Sequence, residues 1–217
     1  YFGFIFIFLV IIKFTNPPII KKLSFINHDF YQKMFNRGEV KSVTIVDIDE
    51  KSLAKIGQFP WRRDVYSKIL DNLNQYNPSV IAFDIVFSEE DKQNPKDLLL
   101  QLQKESDKFL GIKVTNTNQV FIDSLKRSKV VLPVIGEPND NLIENNSKPK
   151  LKLIVKGDNP KNFIYKYKNK ITSLENLNSA ASGIGSISLL PNIDGIIRNV
   201  PILYNIDNKI WPSLALE

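Results

Sequence analysis

The chain has 217 residues, 43% of them hydrophobic and 24% charged, an ordinary composition for one or one and a half globular domains. It has no Cys and a single His, His28, which excludes disulfide frameworks, thiolate metal sites and Cys nucleophiles. The net charge is +6, but eight Lys and only one acid, Asp158, lie in residues 148–170, where Arg is missing and aromatic residues are few. We therefore predict no nucleic-acid partner.

The chain opens on an apolar run, YFGFIFIFLVII, followed by Lys13 and Pro17–Pro18. Twelve helical residues span only about 18 Å, whereas a bilayer core is roughly 30 Å thick. Because the first residue is Tyr and not Met, we interpret residues 1–14 as the C-terminal part of a transmembrane helix and residues 15–39 as a juxtamembrane segment. A buried core helix or strand, or the hydrophobic part of a signal peptide, is the alternative.

Strand and helix patterns alternate over the next hundred residues. β-branched and apolar runs predict strands, and apolar residues at helical spacing predict helices, the first with Asp64 as its N-cap. The strands are expected at 42–49, 79–87 and 129–135, and the helices at 64–76 and 97–110, with another starting near 121–125. Pro133 suggests an edge strand. This order predicts an α/β fold, a mainly parallel sheet with flanking helices.

The last third of the chain has a different pattern. Residues 137–170 lose periodicity and are rich in Lys and Asn, which indicates an insertion with one short strand near 151–155. An antiparallel hairpin is then expected from strands 183–191 and 196–204, joined by a turn at 192–195 in which Gly195 has φ > 0. A further turn is expected at 205–209, and a helix from Trp211, with Ser213 as its cap.

Acidic residues follow two of the predicted parallel strands. Ligands of open α/β sheets collect at the carboxyl ends of such strands. The carboxylates expected to form an acidic crevice there are those of Asp47, Asp49, Asp84, Glu89 and Asp91. Oxygen ligands suit Ca²⁺ or Mg²⁺, so the crevice is a candidate metal site. The alternative is structural: Asp47 or Asp49 caps the helix after it, or pairs with Arg62 or Arg63.

The segment FPWRRD, residues 59–64, precedes the first predicted helix of this domain. Trp61 is a candidate wall of a ligand site, and Arg62 and Arg63 are candidate clamps for an anion. The alternative is a packed loop in which Trp61 covers the core and the Arg side chains pair with nearby acids.

A strand that ends in Asp-x-Asp also resembles the nucleophile motif of haloacid-dehalogenase-type phosphatases. In this chain Asp47-Ile48-Asp49 is followed by Glu50-Lys51, and the Thr-Leu or Gly-Thr continuation is missing. A phosphoryl-transfer enzyme is therefore an alternative interpretation, and for this segment we expect no enzymatic activity.

Five blocks of the sequence together resemble one family. They are VTIVDIDEKSLAKIGQFPWRRDVYSKILDNL, SVIAFDIVFSEED, SKVVLPV, GSISLLPNIDGIIRNVPILY and WPSLALE. In this order, over residues 40–217, they resemble the type 2 CHASE domain, the cyclase- and histidine-kinase-associated sensory extracellular domain. Family members often have Trp where this chain has Phe59. They also continue past the last block, and the insertion 137–170 has no clear counterpart in them.

The resemblance implies a bacterial receptor of the cell inner membrane with its sensory domain in the periplasm. Its output module would be a cytoplasmic adenylate or guanylate cyclase, histidine kinase, diguanylate cyclase or serine/threonine kinase. The expected partners are the membrane, an unidentified small-molecule or ionic stimulus, and a second copy in a homodimeric receptor. An envelope scaffold or adhesive module is the remaining alternative.

Overall fold

The computed structural model describes most of the chain, namely residues 2–15, 17–35, 42–105, 108, 111–139 and 146–217. The chain divides into two compact units, residues 1–52 and residues 53–217. The described residues form seven α-helices and seven β-strands in two sheets. The α/β character predicted from the sequence is thereby confirmed.

The first unit begins with two helices, α1 (Phe2–Thr15) and α2 (Pro18–Met34). α1 contains the apolar run, and its 14 residues span about 21 Å. Among the described residues, no helix combines the length and the apolar character needed to cross a membrane. The helical conformation of the run is therefore established, whereas its membrane insertion stays a prediction. Residues 36–41, at the predicted end of the juxtamembrane segment, lie outside the described residues.

Residues 43–49 do not form the strand predicted for them. The side chains of Val43, Ile45 and Val46 are exposed, and that of Ile45 is 86% accessible. β-branched residues favour a strand only where a neighbouring strand and a buried face receive them, and here the segment has neither. It leads directly into helix α3 (Glu50–Ile56).

The second unit contains the remaining helices and all the strands of the described chain. Its helices are α4 (Arg63–Asn74), α5 (Pro95–Glu105), α6 (Thr117–Arg127) and α7 (Glu175–Ala180). Its strands are β1 (Ile81–Ala82), β2 (Val130–Glu137), β3 (Lys166–Tyr167), β4 (Asn169–Thr172), β5 (Gly183–Ser186), β6 (Leu203–Ile206) and β7 (Lys209–Pro212). The helices predicted at 64–76, 97–110 and near 121–125 correspond to α4, α5 and α6, and most of 106–110 lies outside the described residues.

Strand β2 is the centre of the first sheet. It pairs in parallel with β1 and β5 and antiparallel with β4. The parallel pairing of β1 with β2 agrees with the predicted parallel sheet, although only two residues of the predicted strand 79–87 join the ladder. The edge position suggested by Pro133 is wrong. Pro133 has no N–H to donate to a neighbouring strand. This is tolerated because β1 and β4 pair with the same side of β2 and leave a gap there: β1 ends at Ala82, opposite Val131, and β4 starts only at Thr172, opposite Val134.

The second sheet contains β3, β6 and β7. β6 and β7 form an antiparallel hairpin whose turn residues, Asp207 and Asn208, both have positive φ. A two-residue turn with positive φ at both positions matches the right-handed twist of the strands that it joins. The predicted turn at 205–209 is therefore confirmed.

Three predictions for the last third of the chain are wrong. Residues 183–191 and 196–204 do not pair with each other, since β5 joins β2 and β6 joins β7, although the turn forms and Gly195 has φ +78°. Trp211 lies in β7 and not at the start of a helix, and its fully buried side chain belongs to a core cluster with residues of both sheets. Residues 151–155 do not form the short strand predicted for them.

Aromatic residues form the core around α4 and α6. The rings of Tyr66, Phe83, Phe87 and Phe121 pack with centroid distances from 5.0 to 6.3 Å, mostly edge to face. This arrangement is the one that aromatic quadrupoles prefer. The cluster fixes the N-terminal turn of α4 against the chain that follows β1, and a cavity opens at that junction.

Candidate functional site

The cavity lies between the start of α4 and the chain that follows β1. Its volume is about 320 Å³. Two stretches of chain supply its lining, residues 59–66 and residues 85–93. The lining residues are Phe59, Pro60, Trp61, Arg63, Tyr66, Ile85, Val86, Phe87, Ser88, Glu89, Glu90, Asp91, Lys92 and Gln93.

Arg63 is the first residue of α4, and its side chain is almost completely buried, with 7% of the residue accessible. Its Nη2 donates a hydrogen bond of 2.7 Å to the backbone oxygen of Glu89, and its guanidinium lies 4.4 Å from the centre of the Phe87 ring. Its Nε is buried without a hydrogen-bond partner among the described residues. Burial lowers the pKa of Arg63, and the charge of Asp91 opposes that effect.

Asp91 is also buried, and both of its carboxylate oxygens accept hydrogen bonds. Oδ2 accepts from the backbone N–H of Arg63 at 2.9 Å and from the Thr117 hydroxyl at 2.6 Å, while Oδ1 accepts from the backbone N–H of Gln93 at 3.0 Å. A carboxylate at the first N–H of a helix satisfies an otherwise unpaired donor and interacts favourably with the helix dipole. Asp91 therefore caps α4 from a distant part of the chain and ties α4 to α6.

The prediction that Asp64 caps this helix is wrong. Asp64 lies in the first turn of α4 and forms a two-bond pair with Arg62, at 2.9 Å from Nε and 2.7 Å from Nη2. The pair lowers the pKa of the Asp64 carboxyl and raises the pKa of Arg62. Arg62 is not among the residues that line the cavity, so of the two adjacent Arg residues only Arg63 faces it.

Trp61 forms one wall of the cavity. Its Nε1 donates a hydrogen bond of 2.7 Å to the backbone oxygen of Gly57, which fixes the orientation of the indole. The Phe59 ring lies 6.3 Å away on one side and the Tyr66 ring 6.4 Å away on the other. The Tyr66 hydroxyl is buried beside the Trp61 backbone without a hydrogen bond of normal geometry, and its burial raises the pKa of Tyr66.

The other predicted acids of this unit differ in their surroundings. Glu89 is exposed and pairs with Lys92 at 2.7 Å, which lowers the pKa of the Glu89 carboxyl. Glu90 accepts a hydrogen bond of 2.7 Å from the Asn118 amide. Asp84 is exposed and does not line the cavity.

Asp49 has the capping role that the sequence left open. Its Oδ1 accepts hydrogen bonds from the backbone N–H of Ser52 at 2.9 Å and from the Ser52 hydroxyl at 2.7 Å, and these bonds lower the pKa of Asp49. Asp47 is exposed. Because residues 43–49 are not a strand, the argument that paired strand ends bring Asp47, Asp49 and Asp84 into one crevice fails.

The geometry does not favour a metal site or a phosphatase site. In the part of the chain that the structure describes, no group of three or more His, Asp or Glu side chains is placed to hold a metal ion. The Asp47-x-Asp49 motif does not lie at the end of a strand, and the Asp49 carboxylate accepts two hydrogen bonds from Ser52. The expected binding of Ca²⁺ or Mg²⁺ thus loses the geometric argument on which it rested.

Some of the predicted ligand-site residues line the cavity and others do not. Trp61, Arg63, Glu89 and Asp91 line one cavity, and Arg62 and Asp84 do not. Tyr66 and Phe59 also line the cavity, although the sequence did not identify them as site residues. Tyr66 lies one helical turn after Arg63, so the spacing of the predicted helix was the signal available. Aromatic walls with a few charged groups are the kind of lining that small-molecule sites have, so this cavity is the candidate binding site.

Comparison with known proteins gives one match. A family model described as the CHASE2 domain matches residues 4–217, nearly the whole chain. No curated protein and no solved structure matches. CHASE2 domains are extracellular sensory domains of membrane receptors and are not catalytic. The order of the five sequence blocks and the match over almost every residue show that this chain belongs to the CHASE2 domain family.

Proposed function

We propose that this chain is the periplasmic sensory region of a bacterial inner-membrane receptor that controls a cytoplasmic output module. The module is a nucleotide cyclase, a histidine kinase or a similar enzyme. The observation that carries the proposal is the family match over residues 4–217. The cavity beside Arg63 supports a sensory role, because a scaffold has no need for a buried, incompletely paired guanidinium at the wall of a cavity.

The apolar helix α1 supports membrane attachment. Phe4, Phe6 and Phe14 are exposed in the described structure, and helix α1 contains no acidic residue. A surface of this kind is unfavourable in water and favourable in a bilayer. We propose that α1 belongs to a membrane anchor and that the receptor acts as a homodimer, so that a ligand bound in the periplasm alters the packing of two anchors.

The orientation of the domain is the part of this proposal that one experiment decides. Alkaline phosphatase fused after Ser213 of the parent receptor is expected to be active, because the enzyme needs the oxidising periplasm. The matched control is a fluorescent protein fused at the same position, which is expected to stay dark. A bright fluorescent fusion together with an inactive phosphatase fusion would overturn the proposed location and the sensory function that depends on it.

A further inference from the structure

The guanidinium of Arg63 has more hydrogen-bonding capacity than the protein uses. A guanidinium offers five N–H donors in a planar fork. In the described structure one hydrogen bond is formed, from Nη2 to the backbone oxygen of Glu89, and Nε is buried without a partner. No carboxylate of the described residues forms an ion pair with it. A buried cation in this condition is costly, and an anionic group that reaches it would recover part of that cost.

The charge around the cavity argues against a plain anion as the ligand. Two cations, Arg63 and Lys92, and three acids, Glu89, Glu90 and Asp91, line it, which leaves a net charge of −1. Asp91 accepts three hydrogen bonds. Glu89 is exposed and pairs with Lys92 through one oxygen, Oε2, and Glu90 accepts one bond from the Asn118 amide, also at Oε2, so the second oxygen of each can accept a hydrogen bond from a ligand. A phosphate dianion would be repelled by this rim. A ligand with both signs of charge satisfies the guanidinium and the free carboxylate oxygens together.

The size and the walls of the cavity restrict the rest of the ligand. A volume of 320 Å³ is near the lower limit of ligand pockets, which run from about 300 to 1,000 Å³. Phe59, Trp61 and Ile85 supply apolar walls, and the bond from Trp61 to Gly57 holds the indole in place. The cavity thus suits a small molecule with one apolar group.

We propose that this cavity binds an apolar α-amino acid. The carboxylate of the ligand pairs with Arg63, its ammonium group with the carboxylates of Glu89 and Glu90, and its side chain packs against Trp61 and Phe59. The inference rests on the proposed sensory function, since it names the chemical class of the stimulus.

The test uses the whole chain in detergent micelles and isothermal titration calorimetry. The probes are L-phenylalanine and L-leucine, the two halves of the first probe (3-phenylpropionate and 2-phenylethylamine) and inorganic phosphate. We expect at least one amino acid to bind. If L-phenylalanine binds, each half should bind at least about tenfold more weakly, because each has lost one set of charge-assisted hydrogen bonds.

Two variants assign the binding to this cavity. Arg63→Lys keeps the charge and loses the planar fork, so the affinity for the amino acid should fall at least about tenfold. Its matched control is Arg62→Lys, at the adjacent residue outside the lining, which should bind as wild type does. In Glu89→Gln/Glu90→Gln, which alters exposed side chains, the amino acid should bind more weakly, while 3-phenylpropionate should bind at least as tightly as it does to wild type because two repelling carboxylates are removed. This second variant keeps the test valid even if Arg63→Lys fails to fold.

Four results would overturn the inference. They are no binding of either amino acid, binding of 3-phenylpropionate as tight as that of L-phenylalanine, binding of phosphate in preference to both amino acids, and a folded Arg63→Lys variant with wild-type affinity. The binding assay needs no cell and the orientation assay needs no ligand. A negative titration with an active phosphatase fusion would therefore remove the amino acid and leave the sensory function in place.

Discussion

Residues 42–49 and residues 79–87 are two segments with nearly the same composition and different structures. SVTIVDID and SVIAFDIVF share β-branched residues, apolar stretches and acids at or near their ends. The first has no regular structure and is mostly exposed, and it pairs with no strand of the described residues. The second begins as β1, pairs with β2 and buries Phe83 and Phe87 in an aromatic cluster.

The difference shows that neighbours decide the fate of such a segment. Residues 79–87 have a strand beside them and the rings of Tyr66 and Phe121 above them. Residues 43–49 have the same local preference but bury no apolar face. β-propensity measures the fit to a half-buried pleated surface, so it has no effect where that surface is absent.

The largest expected difference between the two segments is in core packing. Phe87→Ala should lower the free energy of unfolding by about 3–5 kcal/mol, because it opens a void in the aromatic cluster. Ile45→Ala should change it by less than about 0.5 kcal/mol. Urea unfolding followed by Trp fluorescence measures Phe87→Ala, since both Trp residues lie in the second unit, and circular dichroism, which also reports the helices of the first unit, measures Ile45→Ala. A loss of several kcal/mol in Ile45→Ala would mean that residues 43–49 are packed, and the comparison would fail.

The acids beyond the two segments should differ next. Asp91→Asn replaces one of the two carboxylate oxygens by an NH₂ donor, so either Arg63 N–H and the Thr117 hydroxyl or Gln93 N–H loses its acceptor, and we expect a loss of about 1–3 kcal/mol in unfolding free energy. The matched control, Glu89→Gln, alters an exposed side chain and should stay within about 0.5 kcal/mol of wild type. Equal effects of the two changes would show that Asp91 does not brace α4.

The smallest expected effect is the acid sensitivity of the Asp49 cap. Hydrogen bonds from Ser52 lower the pKa of Asp49 in the folded chain. The stabilisation is therefore present above about pH 4, near the unfolded pKa, and is lost as the pH falls through the lowered value. Hydrogen exchange of the Ser52 amide should lose its extra protection over this range in the wild type.

The control for this last prediction is Asp49→Asn, which keeps an oxygen acceptor at the helix start and cannot titrate. In this variant the protection of the Ser52 amide should not change over the pH range in which Asp49 titrates in the wild type. If wild type and variant respond alike to acid, the titrating group is another one.

The elements that could be predicted from the sequence are those with strong periodicity. Val65, Ile69, Leu70 and Leu73 are spaced as on one helix face, and α4 is found there. The sequence predicts the hairpin at Asn192–Gly195, whereas the structure has it at Asp207–Asn208. Both segments form good turns. The choice between them depends on which strand partners are buried, and a single sequence does not contain that information.

The candidate site could be predicted from the sequence only where local patterns indicate it. Trp61 and Arg63 were identified because bulky aromatic and basic residues stand next to each other before a helix. The role of Asp91 depends on its contact with Thr117, 26 residues further along the chain, which no local pattern contains. The sequence allows several roles for Asp49, and only the helix cap, which depends on neighbours within three residues, is found in the structure.

The central position of β2 has a consequence for how the protein is made. Ile81 pairs with Val130 about fifty residues later, and the partners of Val134, Thr172 and Ser186, are a further forty to fifty residues along the chain. Long-range pairing of this kind makes folding slow, because loops must close before contacts form. The first sheet can therefore close only after Ser186 has been synthesised. A domain that delays its folding in this way remains an open chain during synthesis, the form in which a polypeptide is most readily threaded across a membrane.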